Sequence, residues 1–383
     1  MSRTVNRSVD RVLLFAIVAL SLIGIVMVYS ASYGFAIEAT GAEDPALFLR
    51  HHIIRIVLGF MLLVLFMKVR EDVLRRLAKP LLIAALVLLG LVLVPSPLSV
   101  EVRGSARWLH LGYFVFQPSE LAKIALIVYL ADFITRRGYD IRKFSRGFVP
   151  AFIVVGTAVL LVAAEPNIGT AAMLLLIGIV VLFAGGARIQ HLGMALSVSL
   201  AALIGFMYVT GHNWDRLLAK LGGAVDEGVS YQAKQAVIAI GAGGFRGMGP
   251  GMGNQKYLYV PDAHTDFILA ITGEEIGFLG ILGVVALFFV FVWRGLRAAR
   301  RAPTVFSSIV ATGVTMAVAA YFCINAGVCT GMLPTIGLPI PFLSYGGSSS
   351  LILLASCGML LGVSRRQSAY VNVEPGRLEG LKR

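Results

Sequence analysis

The feature that most constrains this chain is a series of ten apolar runs, near Val12–Ser30, Ile53–Lys68, Leu81–Val94, Ser119–Phe133, Phe148–Ala164, Thr170–Gly185, Leu192–Thr210, Phe267–Trp293, Val305–Val328 and Ser348–Val363. Each approaches the ~20 residues a helix needs to cross the hydrocarbon core of a bilayer. Hydrophobic residues make up 58% of the 383 and charged residues 14%. Soluble domains run nearer ~45–50% and ~25%, so apolar side chains here must coat an outer surface as well as fill a core. A soluble enzyme, a disordered chain and a fibrous protein are excluded. Three cysteines, Cys323, Cys329 and Cys357, are too few for a disulfide framework, and none has metal-ligand spacing with histidine. The net charge of +13 would suit nucleic acid, but the basic residues fall in short clusters between apolar runs, so no nucleic-acid partner is expected. The first run follows Arg3, Arg7 and Arg11 without a small-residue cleavage site and reads as a retained helix.

Ten spans put both termini on one side. With the N-terminus cytoplasmic, the clusters at Lys68–Lys79, Arg136–Arg146 and Arg294–Arg301 and the basic tail all fall inside, as the positive-inside rule requires. The expected fold is an all-α polytopic membrane protein of ten transmembrane helices with both termini cytoplasmic. Residues 1–363 form one transmembrane domain and 364–383 a short cytoplasmic tail. Two outer loops are long. Pro95–Pro118 carries Arg103, Arg107, Trp108, His110 and Gln117; the other, at 211–264 between helices 7 and 8, is rich in glycine. Within the second, Leu217–Ile240 has the spacing of a short amphipathic surface helix. The run Gly241–Gly253 lacks the GK[ST] of a phosphate-binding loop and no strand precedes it, so it is expected to be mobile and to approach its neighbours closely.

Charges inside spans cost ~2.5–3.5 kcal/mol each on insertion scales and by default mark a site. Glu120 and Lys123 stand at i and i+3 at the start of the fourth span, and Glu165 ends the fifth beside Pro166 and Asn167. Asp266 opens the eighth span, and Glu274 lies two turns further on the same face, next to Glu275. Asp132 sits near the inner end of the fourth span, where solvent access would account for it. Every one of these has a structural reading too. Glu120 with Lys123 serves as a neutralised packing pair, and Glu274 and Glu275 are held by neighbouring helices. Asp266, following Thr265, suits a helix start. His264 and Trp108 suit interfacial anchors, and Arg107 a snorkelling cation. What favours function is convergence on the outer side. A carboxylate able to deprotonate a hydroxyl and cations able to hold phosphates stand together there, as an anionic lipid-linked substrate would need.

The segments GSARWLHLGYFVFQPSELAK (Gly104–Lys123), YVPDAHTDFILAITGEEIGFLG (Tyr259–Gly280) and NAGVCTGMLPTIGLPIPFLSYGGSSSL (Asn325–Leu351) resemble the SEDS family, the shape, elongation, division and sporulation proteins. The similarity runs from the first span to Val363, and QKYLYVPDAHTDF with GVCTGMLP is more similar to the division (FtsW) or sporulation branch than to the elongation branch. The resemblance implies a peptidoglycan glycosyltransferase that polymerises lipid II on the outer face of the cytoplasmic membrane. It also implies a class B penicillin-binding protein transpeptidase as partner, among other division or elongation membrane proteins.

In that reading Asp266, of the HTDF motif, is the general base. It takes the proton of an acceptor hydroxyl that attacks the anomeric carbon of the lipid-linked strand, and undecaprenyl pyrophosphate leaves with inversion. Arg107, Trp108, Glu120, Lys123, His264, Thr265, Glu274, Ser344 and Tyr345 are the matching substrate-binding positions, and Gln235 is a sugar contact on the outer loop. No cofactor is obligatory, although a divalent cation could assist at the pyrophosphate. Two departures stand out: EPNIGT replaces the commoner QPDxGT, placing Glu165 and Asn167 where an amide and an acid are usual, and Asp262 replaces glutamate. Two other functions compete. A lipid II flippase would need a polar path to the inner face, and a scaffold recruiting the transpeptidase would not need Asp266.

Overall fold

The computed structural model describes residues 9–41, 44–94, 99–102, 105–112, 114–211, 214, 227–257 and 263–371. In chain order these form α1 (Arg11–Thr40), α2 (Leu47–Lys68), α3 (Glu71–Leu93), strands β1 (Ser99–Val102), β2 (Ser105–Leu111) and β3 (Phe114–Phe116), and α4 (Pro118–Arg137). A 3-10 turn (Gly138–Arg142) and a π turn (Phe144–Phe148) lead into α5 (Val149–Ala164). There follow α6 (Ile168–Ala184), α7 (Ile189–Thr210), α8 (Glu227–Gly243), α9 (Ile268–Arg300), α10 (Val305–Cys329) and α11 (Ser348–Val371).

Eight of these helices, α5 counted with its π turn, are long and apolar enough to cross a membrane. The chain is a multi-pass helical membrane protein. Apolar side chains such as Phe15, Met61, Ile83, Leu160, Val198 and Phe289 point outward, which is stable only where the surrounding solvent is lipid. The helices differ in depth. Within the spanning stretch, 72% of residues are buried in α11 against 17% in α7, so α11 is the centre of the bundle and α7 its rim. Small residues let α11 approach α2: Gly59 lies under the Leu354 side chain, and Gly358 lies against the main chain of Leu63. At the arginine-rich end, ion pairs join the helices. Arg294 meets Asp10 at 2.6 Å, while Asp10 also caps α1 by accepting from Val12 and Leu13.

Two expectations change. Asp132 is buried rather than solvated, held by Arg75 at 3.2 Å and Arg136 at 2.8 Å. The all-α class acquires a three-stranded antiparallel sheet in the order β1-β2-β3, with Ser99 opposite Leu109 and Leu109 opposite Phe116. Strands of 4 and 3 residues at its edges are too short to display an alternating pattern in sequence. The amphipathic helix expected at Leu217–Ile240 is present as α8, with 217–226 outside the described residues; Arg103, Asp262 and the tail beyond 371 lie outside them too.

The glycine-rich run approaches its neighbours closely, as expected, and is held there by backbone hydrogen bonds. α9 is interrupted at Gly277, where φ is 67° and ψ −170°, and the chain after α8 fills the gap. Gly244 and Phe245 carbonyls accept from the amides of Phe278 and Leu279 at 2.9 and 3.2 Å. Met248 and Gly249 amides donate to the carbonyls of Glu274 and Glu275, each at 3.0 Å. Backbone groups that a broken helix leaves unpaired cannot be left so in hydrocarbon, and this strap pairs them. Only glycine fits at the crossing. A side chain on Gly277 would strike the Gly247 amide, one on Gly247 (φ 81°) would strike the Glu275 carbonyl, and both residues have left-handed φ.

Candidate functional site

Asp266 lies in the turn that precedes α9, partly exposed. Its surroundings come from three distant parts of the chain. Asn325, buried in α10, donates through Nδ2 to the carbonyls of Asp266 at 2.7 Å and Leu338 at 2.8 Å. Ser344 Oγ donates to the Thr265 carbonyl at 2.5 Å, and the Tyr345 amide donates to the His264 carbonyl at 2.9 Å. The SYGG segment thus staples the HTD segment residue by residue. The carboxylate of Asp266 faces Gly337, whose absent side chain would reach Oδ2 at 3.5 Å. The His264 ring is packed by Phe35 at 4.9 Å, Phe48 at 5.1 Å and Tyr345 at 5.7 Å, and the Arg55 guanidinium stands 4.8 Å from the Tyr345 ring.

Beside this staple a cavity opens between α4, α10 and α11. Its walls are mostly apolar, from Ile124, Ile127, Val314, Val318 and Leu353, and its polar groups include Glu120, Lys123, Tyr321, Ser344, Ser349 and Ser350. Lys123 Nζ pairs with Glu120 at 2.8 Å and donates to Tyr321 Oη at 2.9 Å. An ammonium has three donors, and two of them are engaged in these bonds. The Lys123 side chain is 13% exposed, toward the cavity. Ser344 both lines the cavity and bonds the residue before Asp266, so the Lys123 cavity and the Asp266 turn share a wall.

The structure gathers Glu120, Lys123, His264, Thr265, Asp266, Ser344 and Tyr345 in this way, and it separates the others. Arg107, on β2, grips the turn between α5 and α6, donating to the carbonyls of Glu165 at 3.3 Å and Pro166 at 2.5 Å. Trp108 is half-buried next to it on the sheet, and Gln235 is half-buried on α8; none of these three lines the cavity. Glu274, expected beside the substrate, is instead buried against the strap, accepting from the amides of Asn254 at 2.8 Å and Gln255 at 3.2 Å. The EPNIGT departure has a visible consequence. Among the described residues neither buried carboxylate oxygen of Glu165 has a hydrogen-bond donor, and burial raises its pKa to about 8 against a smaller opposing pull from Arg107. Asn167 serves locally, capping α6 through the Thr170 amide. Asn325 and Tyr321 escaped the sequence reading. A lone amide or phenol in an apolar span was the available signal, and Asn325 heads one of the motifs quoted above. Among the described residues no three His, Cys, Asp or Glu side chains stand together as metal donors.

A family model described as cell cycle protein, covering FtsW, RodA and SpoVE, matches residues 11–369. A probable peptidoglycan glycosyltransferase FtsW from Trichlorobacter lovleyi is 40% identical over 356 residues, which is 93% of this chain and 93% of the relative. Stage V sporulation protein E of Bacillus subtilis is 38% identical over 363 residues, 94% of this chain and 98% of the relative. Among solved structures, a chain from work on the coordination of polymerization and crosslinking by a peptidoglycan synthase complex aligns with a TM-score of 0.77 at 28% identity, covering 94% of this chain and 98% of that one. The rod shape determining protein RodA of Thermus thermophilus aligns with a TM-score of 0.69 at 29% identity, over the same shares of the two chains. With the match extending across the spans, the strap, the Asp266 turn and the Lys123 cavity, this chain belongs to the FtsW/RodA/SpoVE family of cell cycle proteins.

Proposed function

We propose that this chain is a peptidoglycan glycosyltransferase that polymerises lipid II, with Asp266 as general base. The observation that carries the proposal is the shared wall. Ser344 joins the turn bearing the one carboxylate at the staple to a cavity with a buried ammonium at its edge and apolar walls beyond. A lipid-linked donor needs that combination: an apolar lining for a polyprenyl chain, a cation where pyrophosphate charge accumulates, and a base where the hydroxyl proton departs. In the step itself the acceptor oxygen bonds to the anomeric carbon and its proton passes to the Asp266 carboxylate. The bond from that carbon to the pyrophosphate oxygen breaks, and the electron pair leaves with the pyrophosphate. One displacement inverts the centre, so no covalent nucleophile is required. Lys123 stabilises the leaving charge, and Glu120 and Tyr321 hold Lys123 in place. No step is assigned to a divalent cation.

We further infer ten crossings with both termini in the cytoplasm, the site facing outward from the inner membrane, and the 211–264 loop outside. The support is that α4 and α6 pack between the eight long spans, while most arginines gather at the end opposite the sheet. A class B penicillin-binding protein as partner is supported by the likeness to a chain of a peptidoglycan synthase complex. Flippase activity loses its main argument, because Asp132, the principal charge near the other end, is neutralised by two arginines.

The test is polymerisation of labelled lipid II by the purified chain with its transpeptidase. Wild type is expected to yield glycan ladders and Asp266→Asn none. Equal ladders from both would remove Asp266 as base. Binding of lipid II without ladders from either would favour transport.

A further inference from the structure

A buried ion pair that takes no part in the transfer step lies at the break in α9. Lys256 and Glu275 are 2% and 1% exposed. Lys256 Nζ meets Glu275 Oε1 at 2.9 Å, Ser30 Oγ of α1 at 3.0 Å and the Gly251 carbonyl at 2.5 Å. The other oxygen, Glu275 Oε2, accepts from the Gly251 amide at 2.9 Å. These groups close a ring through the strap, α1 and α9.

The segment Ile268–Ile276, between the Asp266 turn and the break, is a rod about 13 Å long at 1.5 Å per residue. At Gly277 the backbone leaves helical φ/ψ, and the amides of Phe278 and Leu279 bond to the strap carbonyls of Gly244 and Phe245, so the strap carries part of the join between this rod and the helix beyond. One end is pinned by Asn325 and Ser344. At the other end the strap is an attachment, and the strap is retained by the carboxylates of Glu274 and Glu275. Lys256 neutralises Glu275 where water cannot, and separating such a pair in a low-dielectric interior is costly.

We propose that Lys256 and Glu275 are positioning residues for Asp266, locking the strap into the break so that the half-helix cannot rotate or slide and carry Asp266 away from its substrate. This rests on the glycosyl-transfer reading above.

The test uses the full-length protein with its transpeptidase and labelled lipid II. Lys256→Met alone leaves a buried carboxylate unpaired and threatens folding, so the main variant is Lys256→Met/Glu275→Gln, which removes both charges. It is expected to unfold near the wild-type temperature, to keep KM within about twofold and to lose roughly tenfold to a hundredfold in kcat, the scale of a misplaced catalytic group. Lys256→Arg should recover most of that loss. Amide hydrogen exchange over Ile268–Ile276 should accelerate in the double variant and not in Asp266→Asn. Unchanged kcat, a raised KM with kcat preserved, or unchanged exchange over that segment would each overturn the positioning role. Polymerisation by Asp266→Asn at the wild-type rate would overturn the underlying reading, and the positioning role with it, whatever the exchange shows.

Discussion

Two lysine–glutamate pairs sit within the helical bundle, and they differ in everything except chemistry. Glu120 and Lys123 share one turn of α4 and open onto a cavity, with a phenol as third partner. Lys256 and Glu275 come from a loop and a helix break, and seal against α1. The difference teaches that burial of charge does not by itself locate chemistry. A pair at the edge of a cavity can exchange a partner for substrate, whereas a sealed pair can only hold the backbone that surrounds it. A third carboxylate, Glu165, has neither arrangement: it is buried, with no donor on either oxygen among the described residues, and the adjacent Arg107 donates to the carbonyls of Glu165 and Pro166.

The comparison can be broken first at the sealed pair. Lys256→Met should lower the unfolding free energy by ~3–5 kcal/mol, because it strands a buried carboxylate; thermal unfolding in detergent measures it, and a shift as small as that of a surface substitution would refute the sealed character. At the open pair the effect should move from stability to rate. Lys123→Met/Glu120→Gln, which removes the ammonium without stranding the buried carboxylate, is expected to cost roughly a hundredfold in kcat, as loss of one transition-state donor does, while the unfolding temperature stays near wild type. Asn325→Ala removes the amide that donates to the carbonyls of Asp266 and Leu338, which is worth ~1–3 kcal/mol. A drop of about tenfold in polymerisation with lipid II affinity retained is the expected reading.

The smallest effect concerns Glu165. Its folded pKa of about 8 lies above its ordinary 4.5, so between these values the folded state holds a proton that the unfolded state has lost. Stability should therefore fall as pH rises from 4.5 toward 8 and level off above. Glu165→Gln should flatten that slope, which pH-dependent unfolding would record.

Much of this was legible in the residues. Apolar runs of span length located the long helices, and i, i+3 spacing on one helix brought Glu120 to Lys123 whatever the rest of the chain does. The Asp266 turn was visible as the polar start of an apolar run. For the strap, the glycines announce close approach, but which neighbour they meet is not legible, because a string of glycines signals freedom in an isolated chain and close approach in a packed one, and only the neighbour distinguishes the two. Asp132 was misjudged for a related reason: its position along the chain said near the end of a span, and only Arg75, 57 residues away, shows that it is buried and paired.

The sequence by itself determined that this is a membrane protein of many helices, where its charges lie along the chain, and which neighbours share a helical turn, because length, hydropathy and the 3.6-residue period are local properties. Only the tertiary structure decided that Asn325 would clamp Asp266 across 59 residues, that Ser30 would meet Glu275 across 245, and that Arg107 would serve a turn and not a cavity. Such contacts depend on which faces of distant helices come together. That is set by the packing of the whole bundle, and the need to satisfy every buried polar group selects the partners.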